Sequence, residues 1–222
     1  MTEYTPPMDF LSTGPVQSST VLILAHGAGA PMDSPFMNAV ADGVATAAIR
    51  CVRFEFPYMA GRRHGGKKRP PDRQPVLLDH FQKVIQQISE TAPKGASIYI
   101  GGKSMGGRMA TLLAAQAVEK PLFQAVLCLG YPFHPPGKPE KTRTDHFPEI
   151  SCPVLVCQGD RDPFGTRAEI ENYALPSHVQ FCWLPDGNHD LAPRVKSGYT
   201  KEENLAATIA AMVDFMEPDQ PR

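Results

Sequence analysis

Short, continuously apolar runs alternate along the chain with longer stretches in which apolar residues recur every three or four positions. Val21 to Ala25 is apolar at every position, as a strand buried on both faces requires. Ser34 to Ile49 predicts a helix, with Ser34 as N-cap and Pro35 in the first turn. Cys51 to Phe56 reads as the next strand, stopped by Pro57. Pro75 to Thr91 is an amphipathic helix with Val76, Leu77, Phe81, Val84, Ile85 and Ile88 on its apolar face. Ser97 to Ile100 predicts a short strand, then a glycine-rich turn and a helix from Met105 to Val118. Further strands are expected at Ala125 to Leu129, Pro153 to Cys157 and Val179 to Leu184, with helices at Thr166 to Tyr173 and Lys201 to Met216. Such alternation dictates an α/β fold: a mostly parallel sheet, right-handed crossovers and helices on both faces. Sites in these sheets lie beyond the carboxyl ends of the strands, which sorts the candidate residues below.

Composition narrows the picture without naming a function. The 222 residues suffice for one domain, expected to span 1–222, and 42% hydrophobic with 20% charged residues excludes wholesale disorder. Eighteen glycines and 23 prolines without a triplet period exclude collagen and imply many turns. A net charge of -1 gives no global attraction to nucleic acid or membranes, and no apolar run approaches the roughly 20 residues of a spanning helix. The start of the chain lacks a signal-peptide pattern. Its five cysteines include no C-x-x-C pair and sit mostly in strand-like runs, so buried free thiols and a cytoplasmic location are expected. No metal site is expected.

Gly102, Lys103, Ser104, Met105 and Gly106 match G-x-S-x-G, between a predicted strand and a predicted helix. On so sharp a turn the Ser104 hydroxyl projects above the sheet, near the positive end of the following helix, as a nucleophile would. The same residues overlap the end of a phosphate-loop pattern, but that pattern needs glycine where Ser97 stands and a loop where Ile98 to Ile100 form a strand. A serine nucleophile needs a base and an orienting acid, in the chain order serine, acid, histidine for this turn. His178 precedes the last strand and falls at its wrong end; His189 follows that strand and is the expected base. The strand ending at Cys157 leads into Asp160 and Asp162. Asp162, three residues past Gly159, is favoured as the acid, with Asp160 organising the turn and Asp190 a distant third. Backbone N–H groups of Met105 and of Ala28, in the small-residue loop from His26 to Ala30, are the expected oxyanion donors. His26 itself is expected to tie that loop down.

Taken together, the His26 to Gly29 loop, the serine turn, Gly159 to Asp162 and Gly187 to His189 resemble the α/β-hydrolase superfamily over essentially the whole chain. More narrowly, Gly101 to Arg108 with Phe54 to Tyr58 and Pro70 to Pro75 resembles a group of small predicted hydrolases that joins bacterial proteins to eukaryotic testis-expressed and chromatin-complex relatives. The resemblance implies a serine-hydrolase core, and its chromatin-complex members show that the fold also serves as a scaffold. Dienelactone hydrolases are similar in size but carry cysteine where this chain has Ser104, so their reaction is not carried over. Lipase lids commonly enter after the strand ending at Leu129. Here Tyr131 to Ser151 is expected to be a proline-rich, polar flap rather than a cap domain.

Gly61 to Arg73 holds six Lys or Arg and one Asp in thirteen residues. It reads as a solvated loop, or as an anion clamp in which Arg62, Arg63, Lys67 and Lys68 hold a carboxylate, phosphate or coenzyme tail. The expectation is therefore a serine hydrolase for a small, anionic or neutral acyl ester or thioester, with no cofactor and no nucleic-acid or membrane partner. The alternative is a catalytically silent interaction module. Oligomeric state is not legible in the sequence.

Overall fold

Residues 8–117 and 121–217 are described by the computed structural model. Seven strands form a single sheet: β1 (Phe10–Thr13), β2 (Thr20–Ala25), β3 (Arg50–Phe54), β4 (Ser97–Lys103), β5 (Ala125–Leu129), β6 (Val154–Gly159) and β7 (Val179–Leu184). Between and after them lie α1 (Pro35–Ala45), α2 (Pro57–Arg63), α3 (Gln74–Thr91), α4 (Met105–Gln116), α5 (Arg167–Ile170) and α6 (Lys201–Met216). The strand order is β1-β3-β2-β4-β5-β6-β7, with β1 antiparallel to β3 and the other neighbours parallel.

The apolar run of β2 divides between two cores, as the period of a strand demands. Val21, Ile23 and Ala25 face α3 and α4; Leu22 and Leu24 face α1 and α6. All five are fully buried, and each large side chain contributes about 1.5–3 kcal/mol. From β2 the chain steps one way to β3, then returns past β2 to continue through β4 to β7. The crevice between the carboxyl ends of β2 and β4 is therefore the switch point where such sheets bind ligands. Register sets the loops side by side: Ala25 pairs with Gly102, and Gly159 with Leu184.

Several boundaries differ from the sequence pattern, each for a local reason. α1 ends at Ala45, because Thr46 Oγ1 bonds back to Gly43 O at 2.6 Å and Ala48 turns the chain at φ +60°. β3 runs from Arg50 and already ends at Phe54 rather than at Phe56, and Pro57 opens α2, whose Tyr58, Met59 and Ala60 are buried. β4 runs on through both glycines to Lys103, since its neighbours β2 and β5 continue to hydrogen-bond it. β6 likewise continues beyond Cys157 to Gly159, whereas α5 is a single turn capped by Thr166. Val76 is exposed, one position off the buried face of α3. α4 ends at Gln116, and the Val118 to which it was expected to run lies outside the described residues. β1 is a four-residue edge strand too short and too polar to signal itself.

The segment from Tyr131 to Ser151 is not a polar flap. Tyr131, Phe133 and Phe147 are buried with ring centroids 4.7–6.4 Å apart, and the Tyr131 hydroxyl donates to Arg143 O at 2.9 Å. Its aromatic residues anchor it into the α3–α4 core, which leaves the polar residues between them outside.

Candidate active site

Ser104 joins β4 to α4 with φ +50° and ψ -112°, a conformation that L-residues rarely adopt and that costs about 1–3 kcal/mol. The turn is held at both ends. Ser104 N–H donates to Leu129 O at 3.0 Å, and Ser104 O accepts the first bond of α4 from Arg108 N at 3.0 Å. A Cβ on Gly102 would lie 2.6 Å from Ala25 O, and one on Gly106 would lie 2.5 Å from the same oxygen and 2.7 Å from His26 O. The serine turn packs main chain against the end of β2, so only glycine fits on either side.

Ser104 Oγ lies 2.8 Å from His189 Nε2, and His189 Nδ1 lies 2.8 Å from Asp162 Oδ2. Asp162 is fully buried and His189 has 21% of its side chain exposed. A carboxylate only accepts, so Nδ1 carries the imidazole proton and the Nε2 lone pair faces the serine hydroxyl. The ring also lies against Phe164, with centroids 4.2 Å apart and the planes tilted by 31°.

Asp162 does more than the sequence suggested. Its Oδ1 accepts from Phe164 N at 2.8 Å and organises the turn that was assigned to Asp160, whose side-chain Oδ1 is buried without a partner. Gln158, fully buried at the end of β6, was missed. Its Nε2 donates to Asp162 Oδ2 at 3.0 Å while its Oε1 accepts from Tyr131 N at 2.7 Å. A glutamine inside an apolar strand was the available signal. Lys103 was also missed; it is buried between the serine turn and the histidine loop, and burial lowers its pKa.

The loop after β2 stands opposite. His26 is buried; its Nε2 accepts from Phe56 N at 3.1 Å and its Nδ1–H donates to Gly27 O at 2.6 Å. Burial lowers its pKa, which suits the neutral form that this pairing requires. Tyr58 Oη donates to Ala28 O at 2.9 Å, fixing that peptide. Met105 is the first residue of α4, where the N–H has no acceptor within the helix.

Ala28, Phe36, Met37, Phe164 and Lys103 line a mainly apolar cavity of about 320 Å³ together with Ser104 and His189. A second cavity of about 480 Å³ shares Gly29 and Ala30 with it and is lined by Asp33, Glu55, Met59, Arg62 and Arg63. Of the four basic residues considered for a clamp, Arg63 is held in two bidentate pairs, to Glu55 at 2.8–2.9 Å and to Asp33 at 2.8–3.0 Å. These carboxylates raise its pKa further above the usual arginine value. Lys67 and Lys68 are exposed and line neither cavity. Among the described residues, no group of three or more His, Cys, Asp or Glu side chains could hold a metal ion.

A hydroxyl on a strained turn, backed by a singly protonated imidazole and a buried carboxylate, is chemically equipped to attack a carbonyl carbon. The family model for an alpha/beta hydrolase domain matches residues 18–217. The chain belongs to the alpha/beta hydrolase family. Among solved structures, it is similar to an alpha-beta serine hydrolase homologue from Coxiella burnetii (16% identity, 95% of this chain and 92% of that one, TM-score 0.69). It is also similar to XC6422 from Xanthomonas campestris, described as a serine hydrolase without a lid (18% identity, 98% and 93%, TM-score 0.68). A third is Est1E from Butyrivibrio proteoclasticus (16% identity, 96% and 94%, TM-score 0.68). At these identities the likeness is one of fold, and within the alpha/beta hydrolase family the fold hosts many chemistries.

Proposed function

We propose that this alpha/beta hydrolase cleaves an ester or thioester of a small acyl substrate through a covalent acyl-enzyme. One observation carries the reading: Asp162, His189 and Ser104 form an unbroken hydrogen-bonded line, with both histidine contacts at 2.8 Å. His189 Nε2 takes the Ser104 proton as Oγ attacks the carbonyl carbon, and Asp162 holds the imidazolium that results. The carbonyl oxygen gains the electron pair and is met by the N–H groups of Met105 and Ala28. Collapse of the intermediate expels the alcohol or thiol, to which His189 returns the proton. Water, deprotonated by the same histidine, then releases the acid. Every step uses groups of this chain and water.

The finer assignment follows the cavities. The apolar space beside Ser104 suits a small acyl group, and the adjoining space with Arg62 suits a polar or anionic leaving group. A structure of Est1E holds bound ferulic acid. We place the chain among the small predicted hydrolases it resembles, as a single domain over residues 1–222. The free thiols at all five cysteines suit a cytoplasmic location.

A fluorophosphonate probe tests the assignment, since it phosphonylates only an activated serine. Wild type should label and Ser104→Ala should not. A folded wild type that fails to label would leave the silent interaction module as the reading.

A further inference from the structure

Lys103 closes β4 immediately before the nucleophile, and the steps above do not use it. Its side chain is only 10% exposed, at a position where an ammonium must find partners or destabilise the fold. Nζ donates to the backbone carbonyl of His189 at 2.7 Å, lies 3.4 Å from Asp190 Oδ1, and sits 5.7 Å from the centre of the Phe36 ring. Asp190 is 71% exposed and so a weak counter-charge; the carbonyl is the closest partner. The end of β5 is shaped around the same contact. Gly130 has φ +63°, and a Cβ there would lie 2.7 Å from His189 O and 3.2 Å from Lys103 Nζ.

These contacts span 86 residues of chain and link the strand that carries the nucleophile to the loop that carries the base. Asp162 fixes the imidazole at Nδ1, but a ring held at one nitrogen still depends on where its own backbone lies. We propose that Lys103 is a positioning residue: by holding the His189 carbonyl, its ammonium fixes the reach of His189 Nε2 to Ser104 Oγ. The proposal rests on the hydrolase reading above.

The groups that face Lys103 set its pH dependence. They are the Asp190 and Asp162 carboxylates, the His189 loop and, from α1, the Phe36 ring. Burial lowers the ammonium's pKa and the two carboxylates oppose that shift without cancelling it. The charged tether is thus lost as pH rises, below the range in which ordinary lysines titrate.

The test compares fluorophosphonate labelling rates and ester kcat and KM for wild type, Lys103→Met and Lys103→Ala. Lys103→Met keeps the apolar stem and should lower kcat and the labelling rate about tenfold or more while KM changes little. Ethylammonium added to Lys103→Ala should recover part of that loss, and propanol should not. In wild type the labelling rate should fall on the alkaline side, below the usual lysine range of about pH 10.4. Lys103→Met labelling within twofold of wild type would overturn the proposal, as would equal effects of ethylammonium and propanol. If neither variant folds, the wild-type profile decides: a rate that stays level into the usual lysine range overturns it. Failure of wild type to label at all sinks the hydrolase reading and this proposal together, whereas normal wild-type labelling with an unaffected variant removes this proposal alone.

Discussion

At Ser104 the backbone strain and the surrounding glycines are one arrangement, because a turn this sharp brings α4 against the carbonyls that end β2. The added carbon of Gly106→Ala would sit 2.5 Å from Ala25 O and 2.7 Å from His26 O, both main-chain atoms that cannot rotate away. Gly106→Ala should therefore destabilise the protein by about 2 kcal/mol or more and depress labelling, read from urea midpoints and probe incorporation. Gly29→Ala is the control, since its added carbon meets nothing within 4 Å, and its stability should stay within about 0.5 kcal/mol of wild type. Asp162→Asn isolates the proton assignment. An amide that turns its NH2 toward Nδ1 favours the wrong tautomer, so kcat should fall by about 10⁴ while the fold persists. Ser104, His189 and Asp162 were legible from sequence because each follows a strand in a fixed chain order. Gln158 and Lys103 were not, since their partners are a carboxylate and a backbone carbonyl that become neighbours only after folding.

Among the elements, the segment between β5 and β6 departs furthest from its sequence appearance, and one histidine makes that departure testable. His146 Nε2 lies 2.9 Å from Thr111 Oγ1 on α4, while the Thr111 hydroxyl donates to Arg108 O at 2.9 Å. The threonine oxygen thus accepts from Nε2–H. Burial, with the Arg108 charge beside it, lowers the His146 pKa to about 4 against Asp145, which acts the other way. The unfolded chain binds this proton below about pH 6.5 and the folded chain does not, so stability falls as pH drops from about 6.5 to about 4 and is level above. Because the ring is partly exposed, the effect is about 1 kcal/mol rather than the full shift. His146→Gln keeps a donor to Thr111, and its urea midpoint should change less between pH 7 and pH 5 than that of wild type. His26 and His80, whose pKa values burial also lowers, keep part of the slope in the variant. Tyr131, Phe133 and Phe147 were too sparse among prolines and charges to show a period, yet their burial decides the segment's place. α2 escaped notice for a related reason: its Arg62 and Arg63 read as loop charge, while Tyr58, Met59 and Ala60 supply the buried face.

Over the whole molecule, strand–helix alternation made the parallel sheet legible, and the switch point followed from it. What alternation does not encode is the shape of the crevice, which is assembled from α1, α2 and three separate loops. That shape divides the basic residues that looked equivalent along the chain. Arg63 is locked to Glu55 and Asp33 and ties α2 to the chain leaving β3 and to the loop before α1, so Arg63→Ala should cost stability more than selectivity. Arg62 lines the cavity next to the serine site and, among the described residues, has no acidic partner. An ester whose alcohol carries a carboxylate would put that group within reach of Arg62 once its acyl group fills the apolar cavity. Exposure limits such a pair to about 1 kcal/mol, or about fivefold in kcat/KM. Arg62→Ala should thus lower kcat/KM about fivefold for an acyloxybenzoate while leaving the matched neutral phenyl ester within twofold. Lys67→Ala and Lys68→Ala, which lie outside both cavities, should shift the two substrates equally. Equal losses for Arg62→Ala on both esters would mean that the leaving group departs by another path.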